Sequence, residues 1–247
     1  MSGRLGGRRA LVTGATGGLG SAVAHAFSRE GARLALLARD EERLHGLRAA
    51  LGDEHAALTA DVGSWSDVER AVGEAARGLG GLDAVVNAAA IDTSWAPVGE
   101  LPVDEWDRAI DVNLSGTFYV CRAALPHLVE AGGGSIVNLT SVAGLRAWAE
   151  DAAYNASKAG VELLTRTIAV EYGPHGVRAN CLAPGVIDAG MTDLVTDPGE
   201  RRELVAKHSL GRLGLADEVA EAVVWLASDG SSFTTGATLT VDGGFLA

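Results

Sequence analysis

Short apolar runs alternate with longer amphipathic stretches along this chain, and that alternation restricts its possible folds more than any other feature. The runs at 84–86 and 136–137 are apolar throughout, as in parallel strands that helices cover on both faces. Seven candidate strands are spaced along the sequence, at 10–12, 34–37, 56–58, 84–86, 135–139, 177–182 and 238–241. This spacing predicts an α/β protein whose doubly wound sheet has about seven mostly parallel strands, with helices on both faces.

The stretch 64–79 shows the helical period most clearly. Ser64 followed by Asp67 is a capping-box pattern, and Gly80-Gly81 would end the helix. The apolar residues between them fall on one helical face: Val68, Val72, Ala75 and Leu79. No proline-rich linker, charge block or shift of composition divides the 247 residues, so we expect a single domain over 1–247.

Charge and cysteine content exclude several classes of protein. A net charge of −12 disfavours binding to nucleic acid or to an anionic membrane surface, because both favour a basic excess. The sequence contains no run of 18 apolar residues, and its first residues lack the apolar core of a signal peptide. Cys121 and Cys181 cannot build a disulfide framework, so we expect a reducing, cytoplasmic environment.

A glycine-rich loop connects the first predicted strand to the first predicted helix. It reads Thr13-Gly14-Ala15-Thr16-Gly17-Gly18-Leu19-Gly20. Glycines at this junction let backbone N–H groups approach a pyrophosphate at a helix N-terminus, as in Rossmann-type folds. The spacing is neither G-x-G-x-x-G nor a P-loop, and an ordinary glycine-rich turn is the alternative. The strand–loop–helix context favours the phosphate site.

Tyr154 and Lys158 lie four residues apart in a predicted helix and therefore share one face. A phenol with a pKa near ~10 is a poor acid or base at neutral pH, but a neighbouring ammonium group stabilises its anion. Such pairs also occur on ordinary helix surfaces, so the surroundings decide. Ser141 follows the predicted strand at 135–139, at the sheet edge where doubly wound proteins bind ligands, and Asn113 lies on a long predicted helix.

In their order and spacing these motifs resemble the short-chain dehydrogenase/reductase family over nearly the whole chain. The matching segments are Thr-Gly-x-x-x-Gly-x-Gly at 13–20, Asp61-Val62, Asn113, Ser141, Tyr154, Lys158, Pro184-Gly185 and Val241-Asp242-Gly243-Gly244. Each match is modest alone, but the combination is specific. The resemblance implies a Rossmann-type fold and an enzyme that transfers hydride between a nicotinamide cofactor and a small ketone or secondary alcohol.

The resemblance also implies four catalytic roles. Tyr154 would be the general acid–base that gives a proton to a carbonyl oxygen, or takes it back from the alcohol. Ser141 would hydrogen-bond the same oxygen. Lys158 would lower the pKa of the tyrosine and bind the nicotinamide ribose, while Asn113 would hold a water molecule that links Lys158 to solvent.

Further residues are implied to contact the cofactor. Gly14, Gly18 and Gly20 would line the pyrophosphate. Asp61 would reach the adenine, with Val62 packed beside it. The other expected contacts are Thr16, Gly17, Leu19, Asn87, Ala89, Tyr154, Lys158, Pro184, Gly185 and Ile187. The chain departs from the family at two positions where it has alanine, Ala90 in place of glycine and Ala189 where threonine is common.

The end of the second predicted strand bears on the choice between NAD(H) and NADP(H). An acidic residue there would bind the ribose hydroxyl of NAD(H), and an arginine nearby would accept the phosphate of NADP(H). The NAD-selecting position falls at Ala38, and Arg39 follows it. Asp40 and Gly17 weaken the argument, since one adds negative charge and the other replaces a second basic residue. Because Arg39 is present and position 38 carries no acid, we still favour NADP(H), with NAD(H) possible.

Three segments beyond the predicted strands are candidate walls for the substrate. Residues 91–98 contain Trp95, residues 143–150 contain Leu145 and Trp148, and residues 188–208 form a predicted lid that contains Met191. With Ser141 and Tyr154, these are the candidate substrate contacts. If the tryptophans line the pocket, the substrate has an apolar or ring-shaped body; simple packing is the alternative.

Two other functions stay open at this point. A 3-oxoacyl-[acyl-carrier-protein] reductase would present arginines to its acidic carrier near the site entrance, but the chain has Glu130 and His175 at the two expected places and a net charge of −12. A non-catalytic cofactor-sensing regulator would have a broken catalytic set. We expect a small-molecule partner and no metal. The family resemblance further implies a homotetramer or homodimer formed through helices at about 104–130 and 152–173 and through the C-terminal region.

Overall fold

The computed structural model describes residues 3–190 and 197–247, and within these ranges the chain forms one seven-stranded sheet. The strands are β1 (Arg9–Thr13), β2 (Arg33–Ala38), β3 (Ala56–Thr59), β4 (Ala84–Asn87), β5 (Gly134–Leu139), β6 (Val177–Pro184) and β7 (Thr238–Val241). Their order is β3-β2-β1-β4-β5-β6-β7, and every neighbouring pair is parallel. The predicted α/β fold and its seven strands are confirmed.

Helices cover both faces of the sheet. They are α1 (Gly18–Arg29), α2 (Glu41–Leu51), α3 (Trp65–Leu79), α4 (Val103–Ala109), α5 (Gly116–Glu130), α6 (Ala152–Tyr172), α7 (Pro198–Ala206) and α8 (Ala216–Ala227). Successive side chains of β1 point to opposite faces of the sheet and pack against different helices. Val12 belongs to a buried cluster with Phe27 of α1 and Val223 of α8, whereas Leu11 belongs to one with Val72 of α3 and Leu128 of α5. No helix in the described ranges is long and apolar enough to cross a bilayer.

The long helix predicted at about 104–130 is divided in the structure. A π-helical segment, Ile110–Ser115, separates α4 from α5. A π-helical turn accommodates an extra residue, and such segments often occur at functional sites. The segment contains Asn113, whose side chain is completely buried. Apolar periodicity gave no sign of this interruption, because both α4 and α5 continue the helical path.

Helix α3 begins at the predicted cap. The Ser64 hydroxyl accepts a hydrogen bond from the Asp67 backbone N–H at 3.4 Å, and Gly80 ends the helix in the left-handed conformation. The second half of the capping box does not form among the described residues. The Asp67 carboxylate accepts instead from the Asp61 backbone N–H at 3.2 Å, so it holds the loop that follows β3.

We expect Ser64→Ala to lower the free energy of unfolding by about 1 kcal/mol, because one N–H group at the start of α3 loses its acceptor. Urea denaturation followed by circular dichroism measures the effect. Ser66→Ala is the control, since Ser66 lies in the same turn but its hydroxyl accepts no backbone hydrogen bond from the described residues. Equal stability losses in the two variants would contradict a capping role for Ser64.

Candidate active site

The candidate site is a cavity of about 450 Å³ at the carboxyl ends of the strands. It lies where the chain order of the strands reverses between β1 and β4, the usual ligand position in doubly wound sheets. The loops after β1, β4, β5 and β6 form its walls. Many of the predicted site residues line it: Gly17, Gly18, Leu19, Gly20, Trp95, Ser141, Trp148, Tyr154, Lys158, Pro184, Gly185 and Ile187. Ala90 and Ala189 line it as well.

The glycine loop approaches other backbone so closely that side chains are excluded. Gly14 has φ +61°, and a Cβ there would lie 2.6 Å from the backbone nitrogen of Ala89. A Cβ on Gly20 would overlap the carbonyl oxygen of Gly14. Helix α1 begins at Gly18, and its N-cap Gly17 supplies no side-chain acceptor for the first-turn N–H groups. This bare helix N-terminus fits a pyrophosphate group.

Tyr154, Ser141 and Lys158 all line the cavity. The Lys158 Nζ atom donates a hydrogen bond to the Leu139 carbonyl oxygen at 2.9 Å and lies 5.4 Å from the centre of the Tyr154 ring. Burial lowers the pKa of Lys158 to about 8. Burial also raises the pKa of Tyr154, helped by the negative charge of Asp92 and opposed by the hydrogen bond with Ser141.

The raised pKa differs from the sequence expectation that Lys158 lowers the pKa of the tyrosine. The reason is physical: the phenol is removed from water and faces carboxylates, and the ammonium group is held by a backbone carbonyl. The phenol is therefore protonated at neutral pH.

Asn113 holds the loop that follows β4. Its Oδ1 atom accepts from the backbone N–H of Ile91 at 2.8 Å, and its Nδ2 atom donates to the Ile91 carbonyl oxygen at 2.9 Å. A longer contact of 3.2 Å joins Nδ2 to the Ser157 hydroxyl. Since this loop continues into the cavity wall, Asn113 fixes part of that wall. Its expected water-binding role stays a prediction.

The remaining expected cofactor residues do not line the cavity. They are Gly14, Thr16, Arg39, Asp61, Val62, Asn87 and Ala89. Arg39 follows β2, and Asp61 follows β3 by one residue. Because β2 and β3 lie on the far side of β1 from β4, both residues lie at the carboxyl edge of the sheet but farther from Tyr154. Asp61 accepts from the Gly63 backbone N–H at 3.0 Å. Asn87 is buried between strands, where its Nδ2 atom donates to Asn138 at 2.8 Å.

Two arginines flank the outer side of the glycine loop. Arg39 is exposed and directly follows the uncharged end of β2 at Ala38. Within the described ranges its side chain has no hydrogen bond or ion pair. The second, Arg43, was missed by sequence reasoning. Its guanidinium donates to the Thr16 carbonyl oxygen at 2.8 Å. A sequence feature that could have revealed Arg43 is the helix cap at Asp40, which accepts a hydrogen bond from the Arg43 backbone N–H. This cap fixes the start and direction of α2, and therefore the position of Arg43.

The predicted substrate walls are formed only in part by the residues named from sequence. Trp95 and Trp148 both line the cavity, with their rings edge-to-face and their centres 6.3 Å apart. Trp148 also stacks on Phe245, which sequence reasoning missed. Leu145 does not line the cavity, because it follows the turn at Val142–Gly144 and its side chain is exposed. Met191 lies outside the described residues.

Glu130 and His175 do not flank this cavity. Glu130 lies at the end of α5 and lines a different hollow with Arg9 and Gly80, at the opposite edge of the sheet. The cause is the topology, since a helix between parallel strands runs back toward their amino ends. The expectation that these positions lie near the site entrance of their own chain is therefore wrong.

Comparison with known proteins agrees with this geometry. A family profile described as enoyl-(acyl carrier protein) reductase matches residues 14–246. D-threitol dehydrogenase of Mycolicibacterium smegmatis is 39% identical over 98% of this chain and 94% of its own length. 3β-hydroxysteroid dehydrogenase 1 of Eggerthella lenta is 39% identical over 96% of this chain and 93% of its own. The crystal structure of gox2181 has a TM-score of 0.95 and 35% identity, and the match covers 98% of this chain and 97% of that one.

Fold, site and relatives together define an oxidoreductase that acts on alcohols. The chain belongs to the short-chain dehydrogenase/reductase family. Family membership implies use of NAD(P) and a small-molecule substrate.

Proposed function

We propose that this protein is an NADP(H)-dependent oxidoreductase that interconverts a small ketone and a secondary alcohol, with Tyr154 as the general acid–base. The observation that carries the proposal is the meeting of Tyr154, Ser141 and Lys158 in one cavity beside the glycine loop. The curated relatives support the substrate class, since their names describe hydroxyl groups on a polyol and a steroid.

The nicotinamide cofactor supplies or accepts the hydride when it is bound. Gly14, Gly18 and Gly20 leave room for its pyrophosphate at the start of α1. During ketone reduction Tyr154 donates its phenolic proton to the carbonyl oxygen, and during alcohol oxidation it removes the hydroxyl proton. Ser141, which lines the cavity with Tyr154, holds the same substrate oxygen in line.

Lys158 acts on the tyrosine by charge. With a pKa of about 8 it is mostly protonated at neutral pH. Its ammonium group, 5.4 Å from the ring centre, stabilises the phenolate that forms when Tyr154 gives up its proton. Positioned proton transfer of this kind typically accelerates a reaction by about 10²–10⁴-fold.

The preference for NADP(H) rests on Arg39. We expect Arg39→Ala to weaken NADPH binding about tenfold or more and to leave NADH binding nearly unchanged, because only the phosphorylated cofactor offers an anion to the guanidinium. Kd values from cofactor fluorescence measure this. Arg29→Ala, at the far end of α1, is the control. The assignment is wrong if the wild type binds NADH as well as NADPH and Arg39→Ala leaves NADPH binding unchanged.

The description of the matching family profile supports one alternative function, which is reduction of an acyl group on a carrier protein. The net charge of −12 opposes it, because carriers are acidic and long-range repulsion slows their approach. A test compares rates of NADPH oxidation with a free ketone and with a 3-oxoacyl carrier protein. Faster turnover of the free ketone supports our proposal, and a strong preference for the carrier would replace it.

Exposed apolar residues on two helices support the expected assembly. Phe118 of α5 and Leu163 and Val170 of α6 are exposed in the isolated chain. Burial of such residues stabilises association, so we propose a homodimer or homotetramer formed through these helices. Size-exclusion chromatography with light scattering distinguishes the two from a monomer.

A further inference from the structure

Asp151 is a buried carboxylate in the wall of the catalytic cavity. It precedes Tyr154 by three residues, and both side chains line the same cavity. Only 6% of Asp151 is exposed. Its Oδ1 atom is buried and has no hydrogen-bond partner in the described part of the chain. A buried carboxylate oxygen without a donor is costly, and the cavity is the place from which a donor can come.

The backbone around Asp151 is fixed by contacts between the two loops that carry the tryptophans. The Ala96 N–H donates to the Glu150 carbonyl oxygen at 2.9 Å, and Ala96 forms a parallel bridge with Asp151. Glu150 has φ +64°, the left-handed conformation that residues with a Cβ seldom adopt. Asp151 is therefore held in position in the wall, although its own carboxylate gains no hydrogen bond from this arrangement.

We propose that Asp151 determines specificity by accepting a hydrogen bond from a second hydroxyl of the substrate, next to the carbinol that reacts at Tyr154. The preferred substrates are then diols or polyols and the corresponding hydroxyketones. This inference rests on the proposed function and names its substrate class. A site that hydrogen-bonds a substrate hydroxyl rejects analogues that lack it, because its polar group would remain unpaired.

One neighbouring group, Lys207, opposes an ammonium group as the donor, although the carboxylate of Asp92 would attract one. Trp148 is already stacked on Phe245, and the Nζ atom of Lys207 lies 4.9 Å from the centre of its ring. A cationic substrate would meet the charge of Lys207 at this wall. A hydroxyl group has no such repulsion and can still donate to the carboxylate of Asp151.

The ionisation of Asp151 supplies a second observable. Burial, together with the charge of Asp92, raises the pKa of Asp151 to about 7. Among the described residues, the titratable or charged side chains that line or adjoin this part of the cavity come from three segments. They are Asp92 from the loop after β4, Arg146, Glu150, Tyr154 and Lys158 from the loop before α6 and from α6 itself, and Lys207 and His208 after α7. The ionised carboxylate is the stronger acceptor, so preference for a diol increases as the pH rises through about 7.

The test compares butane-2,3-diol with butan-2-ol, using kcat/KM for NADPH formation by the full-length wild type and Asp151→Asn. We expect the wild type to prefer the diol by about 10²-fold, and the variant to reduce this ratio at least tenfold and to remove its pH dependence. Asp53→Asn, an exposed carboxylate far from the cavity, is the matched control and should keep the wild-type ratio. Thermal unfolding and NADPH binding check that each variant is folded.

Three results would overturn the inference. They are a wild-type ratio near one, an equal loss of both activities in Asp151→Asn, and a preference for 1-aminopropan-2-ol over the diol. In the first case turnover of butan-2-ol would still support the proposed function. Absence of turnover with all three alcohols, with either NADP⁺ or NAD⁺, would instead count against the proposed function and the inference together.

Discussion

Tyr154→Phe is expected to lower kcat by about 10²–10⁴-fold in both directions of the reaction. The phenylalanine keeps the ring in the wall of the cavity but removes the only atom of the side chain that can donate or accept a proton. Cofactor binding should change little, since the glycine loop is untouched. Initial rates of NADPH formation and oxidation, together with the Kd for NADPH, measure both effects.

Tyr172→Phe is the matched control, because Tyr172 is the last residue of the same helix and lies away from the cavity. It should retain wild-type turnover. Full activity of Tyr154→Phe with a substrate that the wild type converts would show that another group transfers the proton.

Gly20→Ala is expected to destabilise the fold around α1 and to weaken NADPH binding by about 10²-fold or more. The added Cβ would overlap the carbonyl oxygen of Gly14, which is backbone and cannot move without displacing the loop after β1. Displacement of that loop alters the helix N-terminus that we assign to the pyrophosphate. Thermal unfolding and fluorescence titration with NADPH measure the two losses.

Gly46→Ala, at another helical glycine, is expected to stabilise the protein rather than destabilise it. Gly46 is in the middle of α2, and within the described part of the chain no atom outside the adjoining helix backbone lies within 4 Å of a Cβ placed there. Alanine there should stabilise the protein by about 0.5–1 kcal/mol, because it removes backbone freedom from the unfolded chain. Wild-type stability and cofactor affinity in Gly20→Ala would contradict the packing described for the glycine loop.

The sheet could be predicted because each strand contains apolar residues next to a helical period, although β7 reads Thr-Leu-Thr-Val. The strand predicted at 84–86 is observed as Ala84–Asn87, and the one at 177–182 as Val177–Pro184. The position of Ser141 at the ligand-binding edge of the sheet could also be predicted, since it follows a parallel strand. Such arguments use order along the chain and a regular period, which a sequence displays directly. The pairing of Ser141 with Tyr154, which lies on a helix, came from the family resemblance.

The features that escaped prediction depend on contacts between distant segments. The π-helical segment Ile110–Ser115 does not alter the apolar pattern around Asn113. Arg43 reaches Thr16 only because α2 packs beside the glycine loop. Asp151 resembles any acidic residue at the start of a helix, and its burial becomes apparent only when two loops meet at Ala96. The raised pKa of Tyr154 likewise depends on burial and on Asp92.

The central claim is that hydride passes directly between a secondary alcohol and NADP⁺ in this cavity. The most direct test is incubation of the wild type and Tyr154→Phe with NADP⁺ and butane-2,3-diol deuterated at its two carbinol carbons, followed by mass spectrometry of the NADPH. We expect the wild type to form NADPH that carries one deuterium, with the variant at least about 10²-fold slower. Unlabelled NADPH, or equal rates in the two proteins, would contradict the account.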